Sequence, residues 1–244
     1  SLFMSVMKIS VVIPVYNEEK TILKVLEKIK KVEEKLSKNF EIIVINDGSN
    51  DKTLEYLDNN KSLYSKLINI EFNKGKGNAI NKGFENATGE IIIIQDADLE
   101  YNPEEYNKLL LPFEKYDADV VYGSRFKSSQ MNRVLFFWHS VINNIITLLS
   151  NILSDLNLTD IETGYKLFRK EILEKINLEE KRFGIEIEIT HKVANLRPKP
   201  KIFEVGISYF GRTYEEGKKI GIKDALRAFY CIIKFGLITR IIKK

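Results

Sequence analysis

The stretch Ile91 to Glu100, IIIIQDADLE, decides the fold. Four consecutive isoleucines shortly after Gly89 read as a strand buried on both faces, as in a parallel sheet. The run stops at a polar cluster in which Asp96, Asp98 and Glu100 alternate. On an extended backbone they project to one side, and three carboxylates converging there repel one another unless a cation joins them. Oxygen-only ligands suit a hard divalent ion, Mg²⁺ or Mn²⁺, rather than zinc. The carboxyl end of a parallel strand is also where open α/β sheets place their ligands. The competing reading is an acidic turn into a helix begun by Pro103, with Glu104 and Glu105 in its first turn.

Working outward, the same strand–turn–helix unit recurs. Lys8 to Pro14 is a strand, and Ile22, Val25, Leu26, Ile29, Val32 and Leu36 follow at helical spacing. Glu41 to Asn46 is a second strand, Lys52 to Tyr64 a helix, Leu67 to Phe72 a third strand. A helix then runs through Asn86, and after the acidic strand come a helix from Pro103 to Lys115 and a strand from Asp119 to Gly123. This alternation with short connections predicts an α/β fold, a doubly wound, mainly parallel sheet flanked by helices. Polar loops YNEE, NDGSND and DADLE close three of the strands and converge on one crevice, an arrangement that suits a nucleotide.

The turn Asn73 to Asn78, NKGKGN, is neither a GxxxxGK[ST] loop nor a GxGxxG after a strand, so ATP hydrolysis and nicotinamide binding lose support. It still offers backbone N–H groups and a cation to an anion. At 244 residues, 44% hydrophobic and 30% charged, the chain is globular, and a net charge of +4 gives little reason to expect nucleic acid. A lone cysteine, Cys231, excludes an intrachain disulfide and argues for the cytoplasm. The opening residues are too short for a signal peptide, and no run of apolar residues is long enough to predict a transmembrane span.

Beyond Gly123 the pattern changes. Ser124 to Gln130 is a polar loop, and Val134 to Leu153 is a long helix without a charge. Its polar residues His139, Asn143, Asn144, Thr147 and Asn151 repeat at helical spacing, so the broad apolar remainder is expected on the sheet, with enough left to meet lipid. Thr159 to Arg169 is a polar loop entering a short strand, and Phe183 to Ile189 sets Glu186 and Glu188 on an apolar segment leading into a helix. After a strand at Lys201 to Tyr209, Gly211 to Lys219 is a basic loop punctuated by glycine; it reads as an ordinary solvated turn, but Arg212, Lys218 and Lys219 in it also suit a diphosphate lid. A basic amphipathic helix closes the chain, with Leu226, Phe229, Tyr230, Ile233, Leu237 and Ile241 along one side. The predicted organisation is one domain, 8–219, with a helical extension, 220–244.

Taken in order, VVIPVYNEE, NDGSNDKT, NKGKGNA, DADLEYNPEE, GSRF, TDIETGYKLFR and GRTYEEGKKIG resemble the family 2 glycosyltransferases of the GT-A fold, in particular the polyprenyl-phosphate (dolichol-phosphate) sugar synthase branch. The resemblance implies an inverting transfer of a hexose from a UDP- or GDP-sugar to a lipid-linked phosphate. By it, Pro14, Tyr16, Glu18, Asp47, Ser49, Lys76 and Lys218 hold the nucleotide sugar. Asp98 with Glu100 holds Mg²⁺ or Mn²⁺, Asp96 lies nearer the ribose and the metal's waters, and Arg212 closes on the diphosphate. Ser124 and Arg125 belong to the acceptor-phosphate site. Two departures stand out: many relatives have glutamine at Glu100, and a further arginine early in the next helix is missing, with Arg133 or His139 as its replacement. A hydroxyl acceptor, on a saccharide or protein, would instead need a carboxylate base, for which Glu186, Glu188 and Asp160 are candidates. A lipid acceptor implies peripheral docking on the cytoplasmic face of a membrane; the alternative cover for the amphipathic tail is the protein's own sheet or a second subunit, as in a homodimer.

Overall fold

The computed structural model describes residues 7–127, 133–134, 136–213, 215–216 and 222–238. Among these residues seven strands form one sheet: β1 (Lys8–Val15), β2 (Asn39–Asp47), β3 (Lys66–Ile70), β4 (Ile91–Ile94), β5 (Val120–Ser124), β6 (Lys166–Arg169) and β7 (Ile202–Gly206). Their order is β3-β2-β1-β4-β6-β5-β7, and every neighbouring pair is parallel except the two that β6 makes with β4 and β5. The chain winds outward from β1 through β2 to β3, then returns to lay β4 on the other side of β1. That reversal is a topological switch point, and it opens a crevice at the carboxyl ends of β1 and β4.

The isoleucine strand is buried on both faces. Ile91 and Ile93 join Val11, Ile13 and residues of helices α1 (Ile22–Leu36) and α4 (Tyr106–Tyr116) on one side. Ile92 and Ile94 join Val12, Ile80 and Ile189 on the other, where α3 (Lys76–Asn86) and α7 (Ile185–Ala194) lie. Short helices α2 (Thr53–Asn59) and α6 (Lys170–Leu173) complete these layers. A third cluster, including Ile146, Ile187, Ala228, Cys231 and Phe235, ties α7 to α5 (Phe137–Ser154) and α8 (Ile222–Cys231), with a π-helical continuation at Ile232–Ile238. Cys231 is buried in it, in keeping with a packing role.

Three expectations need correction. The acidic residues after β4 do not continue the strand: the chain turns there, with Leu99 at φ 65. Helix α5 is turned inside out relative to the expectation. Its buried residues are Asn143, Ile146, Thr147 and Ser150, whereas Trp138 (70% exposed), Leu148 (60%) and Ile152 (65%) face outward. The reason lies in what it covers, because buried polar groups require partners. Asn143 accepts from Arg125 at 3.1 Å, Thr147 from the Ile161 N–H at 3.3 Å, and Ser150 Oγ lies 3.1 Å from His191 Nε2. Helix α8 has two apolar sides rather than one: Ala228, Cys231, Ile232 and Phe235 are buried, while Leu226, Tyr230, Ile233 and Leu237 are exposed. Ile241 and the terminal cations Arg240, Lys243 and Lys244 lie outside the described residues, as does Lys218. Among the described residues, no helix is long and apolar enough to cross a membrane.

Candidate active site

The crevice is a cavity of about 740 Å³. Pro14, Tyr16 and Glu18 reach it from the end of β1, Asp47 from β2, and Asp96, Asp98 and Glu100 from β4. Lys76, Arg125, His139, Glu186 and Arg212 complete the expected residues along its wall.

Asp47 works through the backbone. Its two oxygens accept from Lys74 N at 2.9 Å and Gly75 N at 2.8 Å, fixing the turn into α3. Gly75 sits at φ 101, and a Cβ there would lie 2.3 Å from the Lys181 carbonyl, so only glycine suits the turn. The turn delivers Lys76, whose Nζ stands 2.9 Å from both Asp96 and Glu186. Burial alone would depress this lysine, but the two carboxylates more than offset it and hold the ammonium well above its ordinary value. Glu186 keeps its second oxygen, Oε2, buried and without a partner.

The acids after β4 form the other half of the site. Asp98 Oδ1 accepts from Glu100 N at 3.1 Å, and Arg212 Nη2 lies 3.2 Å from Oδ2. Arg212 also donates to both oxygens of Glu18 at 3.2 Å, and its backbone N donates to Glu100 Oε1 at 2.7 Å. Burial, with the negative charge of Asp96 and Glu100, pushes the Asp98 carboxyl up to about 7 against the pull of Arg212. Among the described residues, no group of three or more His, Cys, Asp or Glu side chains is arranged to hold a metal ion. The expected triad is drawn apart: Asp96 faces Lys76, and Glu100 is engaged by Arg212 and by the Tyr209 hydroxyl at 2.5 Å. The donor set nevertheless fits Mg²⁺ or Mn²⁺, which bind through one or two carboxylates together with substrate phosphates. Asp98, buried among like charges and offset by the Arg212 cation, is the carboxylate that gains most from such an ion.

Arg125 also lines the cavity. Nε and Nη2 donate to the two oxygens of Asp160 at 2.7 Å, and the guanidinium lies 5.2 Å above the Tyr209 ring. Burial disfavours its charge, but Asp160 outweighs that and keeps the guanidinium firmly protonated. Asp160 is therefore committed to a cation and is not a free base. Glu188 is committed too, fully buried and accepting from Glu179 N, Glu180 N and Lys192. Of the three carboxylates expected as bases, only Glu186 borders the cavity.

Other expected residues stand away from the cavity wall. Ser124 Oγ is paired with Thr159 and accepts from Phe126 N and Lys127 N, so it shapes the turn that follows β5. Ser49 accepts from Asn17 N at 3.0 Å and holds the loop after β1. Arg133 bonds the Gly211 carbonyl and Glu216, bracing the segment that carries Arg212.

The sequence reading missed Glu162. It borders the cavity, and burial, reinforced by Glu186 and Asp160, raises its carboxyl to about 7. Its loop is clamped from beneath by buried Lys166, which donates to the carbonyls of Ile161 and Thr163 on either side of it. The loop was visible as polar sequence, but nothing in its spacing singled out Glu162 from Asp160. Tyr101, Asn143 and Tyr209 were also missed, because aromatic and amide residues at these positions read as ordinary core or surface.

The chain has known relatives in sequence and in fold. Residues 10–177 match the model of Glycosyl transferase family 2. The chain is 32% identical over 241 residues to a dolichol-phosphate mannosyltransferase of Pyrococcus furiosus, covering 97% of this chain and 67% of that protein. It is 37% identical over 151 residues to an undecaprenyl-phosphate 4-deoxy-4-formamido-L-arabinose transferase of Proteus mirabilis, covering 60% of this chain but only 45% of the relative. In fold it is similar to glucosyl-3-phosphoglycerate synthase of Mycobacterium tuberculosis, with a TM-score of 0.73 at 18% identity, over 94% of this chain and 81% of that one. The same synthase has been solved with Mn²⁺, uridine diphosphate and glucosyl-3-phosphoglycerate, and with Mg²⁺ and uridine diphosphate. With the family match spanning most of the sheet and the acidic loop at its switch point, this chain belongs to glycosyl transferase family 2.

Proposed function

We propose that this protein is a metal-dependent, inverting hexosyltransferase that moves a hexose from a UDP- or GDP-linked donor to a polyprenyl-phosphate-type lipid. The observation that carries the reading is the composition of one cavity. It joins Asp98 and Arg212 at the ends of β1 and β4 to Arg125, and runs on to Trp138, Ile142 and Ile146 of α5, whose outer face is apolar. The names of the curated relatives, which act on dolichol and undecaprenyl phosphates, support the same acceptor class.

In this mechanism the strand-end loops seat the nucleotide, with Pro14, Tyr16 and Asp47 on its side of the cavity. Asp98 with Asp96 would hold the divalent ion, which when bound neutralises charge on the leaving diphosphate. Lys76 keeps Asp96 in place through its ion pair. Arg212 leaves Glu18 and Asp98 to meet the diphosphate, exchanging two carboxylate contacts for phosphate ones. Arg125, oriented by Asp160 and Asn143, faces the acceptor phosphate, with His139 beside it on α5. A phosphate monoester is already an anion near neutral pH, so no strong base is needed, and a single displacement at the anomeric carbon inverts it. The exposed apolar faces of α5 and α8 are suited to rest on the membrane that carries the lipid.

One observation favours a second reading, transfer to a hydroxyl of a saccharide or protein. Glu162, with a carboxyl raised to about 7, has the properties of a general base poised near neutral pH. Thermal-shift screening of UDP- and GDP-sugars with Mn²⁺, followed by transfer assays on polyprenyl phosphates and on saccharides, separates the two. The first reading expects a Mn²⁺-dependent shift with one donor class and product only on the lipid phosphate. Product on hydroxyl acceptors alone favours the second, and no response to any nucleotide sugar overturns both.

A further inference from the structure

The loop that leads into α7 lays two carbonyls on the start of α3. The Asn78 N–H, in the first turn of that helix and with no partner inside it, donates to the Lys181 carbonyl at 3.1 Å. The Glu180 carbonyl lies over Gly77, where a Cβ would stand 2.2 Å from its oxygen. Gly75 meets the Lys181 carbonyl in the same way. The two glycines of NKGKGN therefore make room for a crossing peptide, Glu180 to Arg182. With Lys74 N and Gly75 N given to Asp47, three N–H groups of the turn serve the protein itself and not an anion.

The crossing peptide is itself held in place. Glu179 N and Glu180 N donate to the buried carboxylate of Glu188 at 2.9 and 2.7 Å. The buried side chain of Glu180 reaches α8. Its Oε1 accepts from Arg182 N and from Arg227 Nε, both at 3.2 Å, and its Oε2 accepts from Arg227 Nη2 at 2.7 Å. A two-pronged guanidinium–carboxylate pair fixes orientation as well as distance. The carboxylate has little room to shift, since a Cβ at Gly184 would stand 2.3 Å from Cys231 Sγ and 3.2 Å from Glu180 Cγ. Lys234 adds a second tie, donating to Glu179 Oε2 at 2.9 Å.

Between the two glycines stands Lys76, with Asp96 and Glu186 each 2.9 Å from its Nζ. A continuous chain of contacts thus runs from Arg227 of α8 through Glu180 and the crossing peptide to the cation at the start of α3. We propose that Glu180 and Arg227 are positioning residues: their ion pair seats the 180–182 peptide on Gly75 and Gly77 and so holds Lys76 between Asp96 and Glu186. A carboxylate suits the position because it accepts from the guanidinium and from a peptide N–H together, whereas an amide offers a single acceptor oxygen. The inference rests on the reading of Lys76 as part of the donor site. It makes nucleotide affinity depend on Arg227, a residue of the C-terminal helix that does not line the cavity.

The test compares Arg227→Ala, Arg227→Lys, Glu180→Gln and Lys76→Gln in the full chain. Three quantities are measured: hydrogen–deuterium exchange of the Asn78 amide relative to the amides of β1, affinity for UDP and for GDP in MnCl2 by calorimetry, and melting temperature. Arg227→Ala and Glu180→Gln are expected to speed Asn78 exchange about tenfold and to weaken the nucleotide that the wild type binds about tenfold. Arg227→Lys, which keeps a cation beside Glu180, is expected to regain at least about threefold of that affinity. Lys76→Gln is expected to weaken the nucleotide while Asn78 exchanges as in the wild type. Unchanged Asn78 exchange in both Arg227→Ala and Glu180→Gln overturns the proposal. A lower melting temperature with nucleotide affinity intact, the mark of a merely stabilising contact, overturns it too. Arg227 is 46% exposed, so Arg227→Ala decides the matter should Glu180→Gln fail to fold. A wild type that binds neither nucleotide, or Lys76→Gln that binds as tightly as the wild type, counts instead against the donor-site reading, and Asn78 exchange still decides whether the pair seats the turn.

Discussion

Gly164→Ala is the substitution whose consequence the geometry fixes most closely. A Cβ at this position would stand 2.4 Å from Asp96 Oδ2 and 2.8 Å from Tyr101 Cε2. Favourable heavy-atom contacts lie at about 3.5–4.0 Å, so one neighbour must retreat by roughly an ångström. Tyr101 has little room to yield, since its ring packs between Tyr165 and Tyr209 and its hydroxyl accepts from Gly164 N at 2.8 Å. Asp96 moves instead, which strains its 2.9 Å contact with Lys76. Overpacking of this kind costs about 1–3 kcal/mol of stability, and a shift of roughly 1 Å near the reacting groups can cost about 100-fold in rate. The assay is kcat/KM for transfer beside the melting temperature. The expected result is a fall in kcat/KM of about two orders of magnitude in a folded protein. Activity and melting temperature both close to wild type would show that Asp96 is not held against this loop.

Arg212→Ala should lower turnover at least about tenfold, since a hydrogen bond to a charged group is worth roughly 1.5–3 kcal/mol; unchanged kinetics would reduce Arg212 to a surface residue. His191 supplies a pH dependence. Burial pushes it down to about 4 from 6.5, and its Nδ1 has no partner. The folded state therefore binds fewer protons than the unfolded one between these values, so the stability is fully present above pH 6.5 and falls by about 3 kcal/mol as the pH drops to 4. Urea titrations across that window should show the slope in the wild type and its loss in His191→Gln; equal slopes refute the assignment. The apolar faces of α5 and α8 should bind anionic liposomes in sedimentation, increasingly with anionic lipid and less with salt. Leu148→Glu with Ile233→Glu should abolish that binding without altering the melting temperature. Indifference of the intact protein to liposomes at low salt would assign these faces to a protein partner.

The parallel core of the sheet was legible in the sequence because β1, β2 and β4 are short runs rich in β-branched residues, each ended by a polar turn. Ile91 to Ile94 needed only the rule that a strand buried on both faces does not alternate. The convergence of YNEE, NDGSND and DADLE followed from the parallel order, and Asp47, Lys76, Asp98 and Arg212 duly meet in one cavity. Periodicity failed on α5, because it reports which residues share a side and not which side is buried; Arg125 and His191, far away in sequence, draw the polar side inward. It failed again on residues 96–100, where a turn at Leu99 replaces the assumed extended chain. The partners of Asp160, Glu188 and Glu100 were out of reach for the same reason. A carboxylate's availability depends on which distant donor it meets, and a motif carries no record of that.

The most direct test of the account is the Mn²⁺ dependence of nucleoside-diphosphate binding in the wild type and in Asp98→Ala. Calorimetric titration of UDP and GDP, each with and without Mn²⁺, is the measurement. The account predicts that Mn²⁺ tightens binding of one of them at least about tenfold in the wild type, a gain of about 1.4 kcal/mol, and that Asp98→Ala removes this gain while remaining folded. An Asp98→Ala protein that keeps the full Mn²⁺-dependent gain would contradict it.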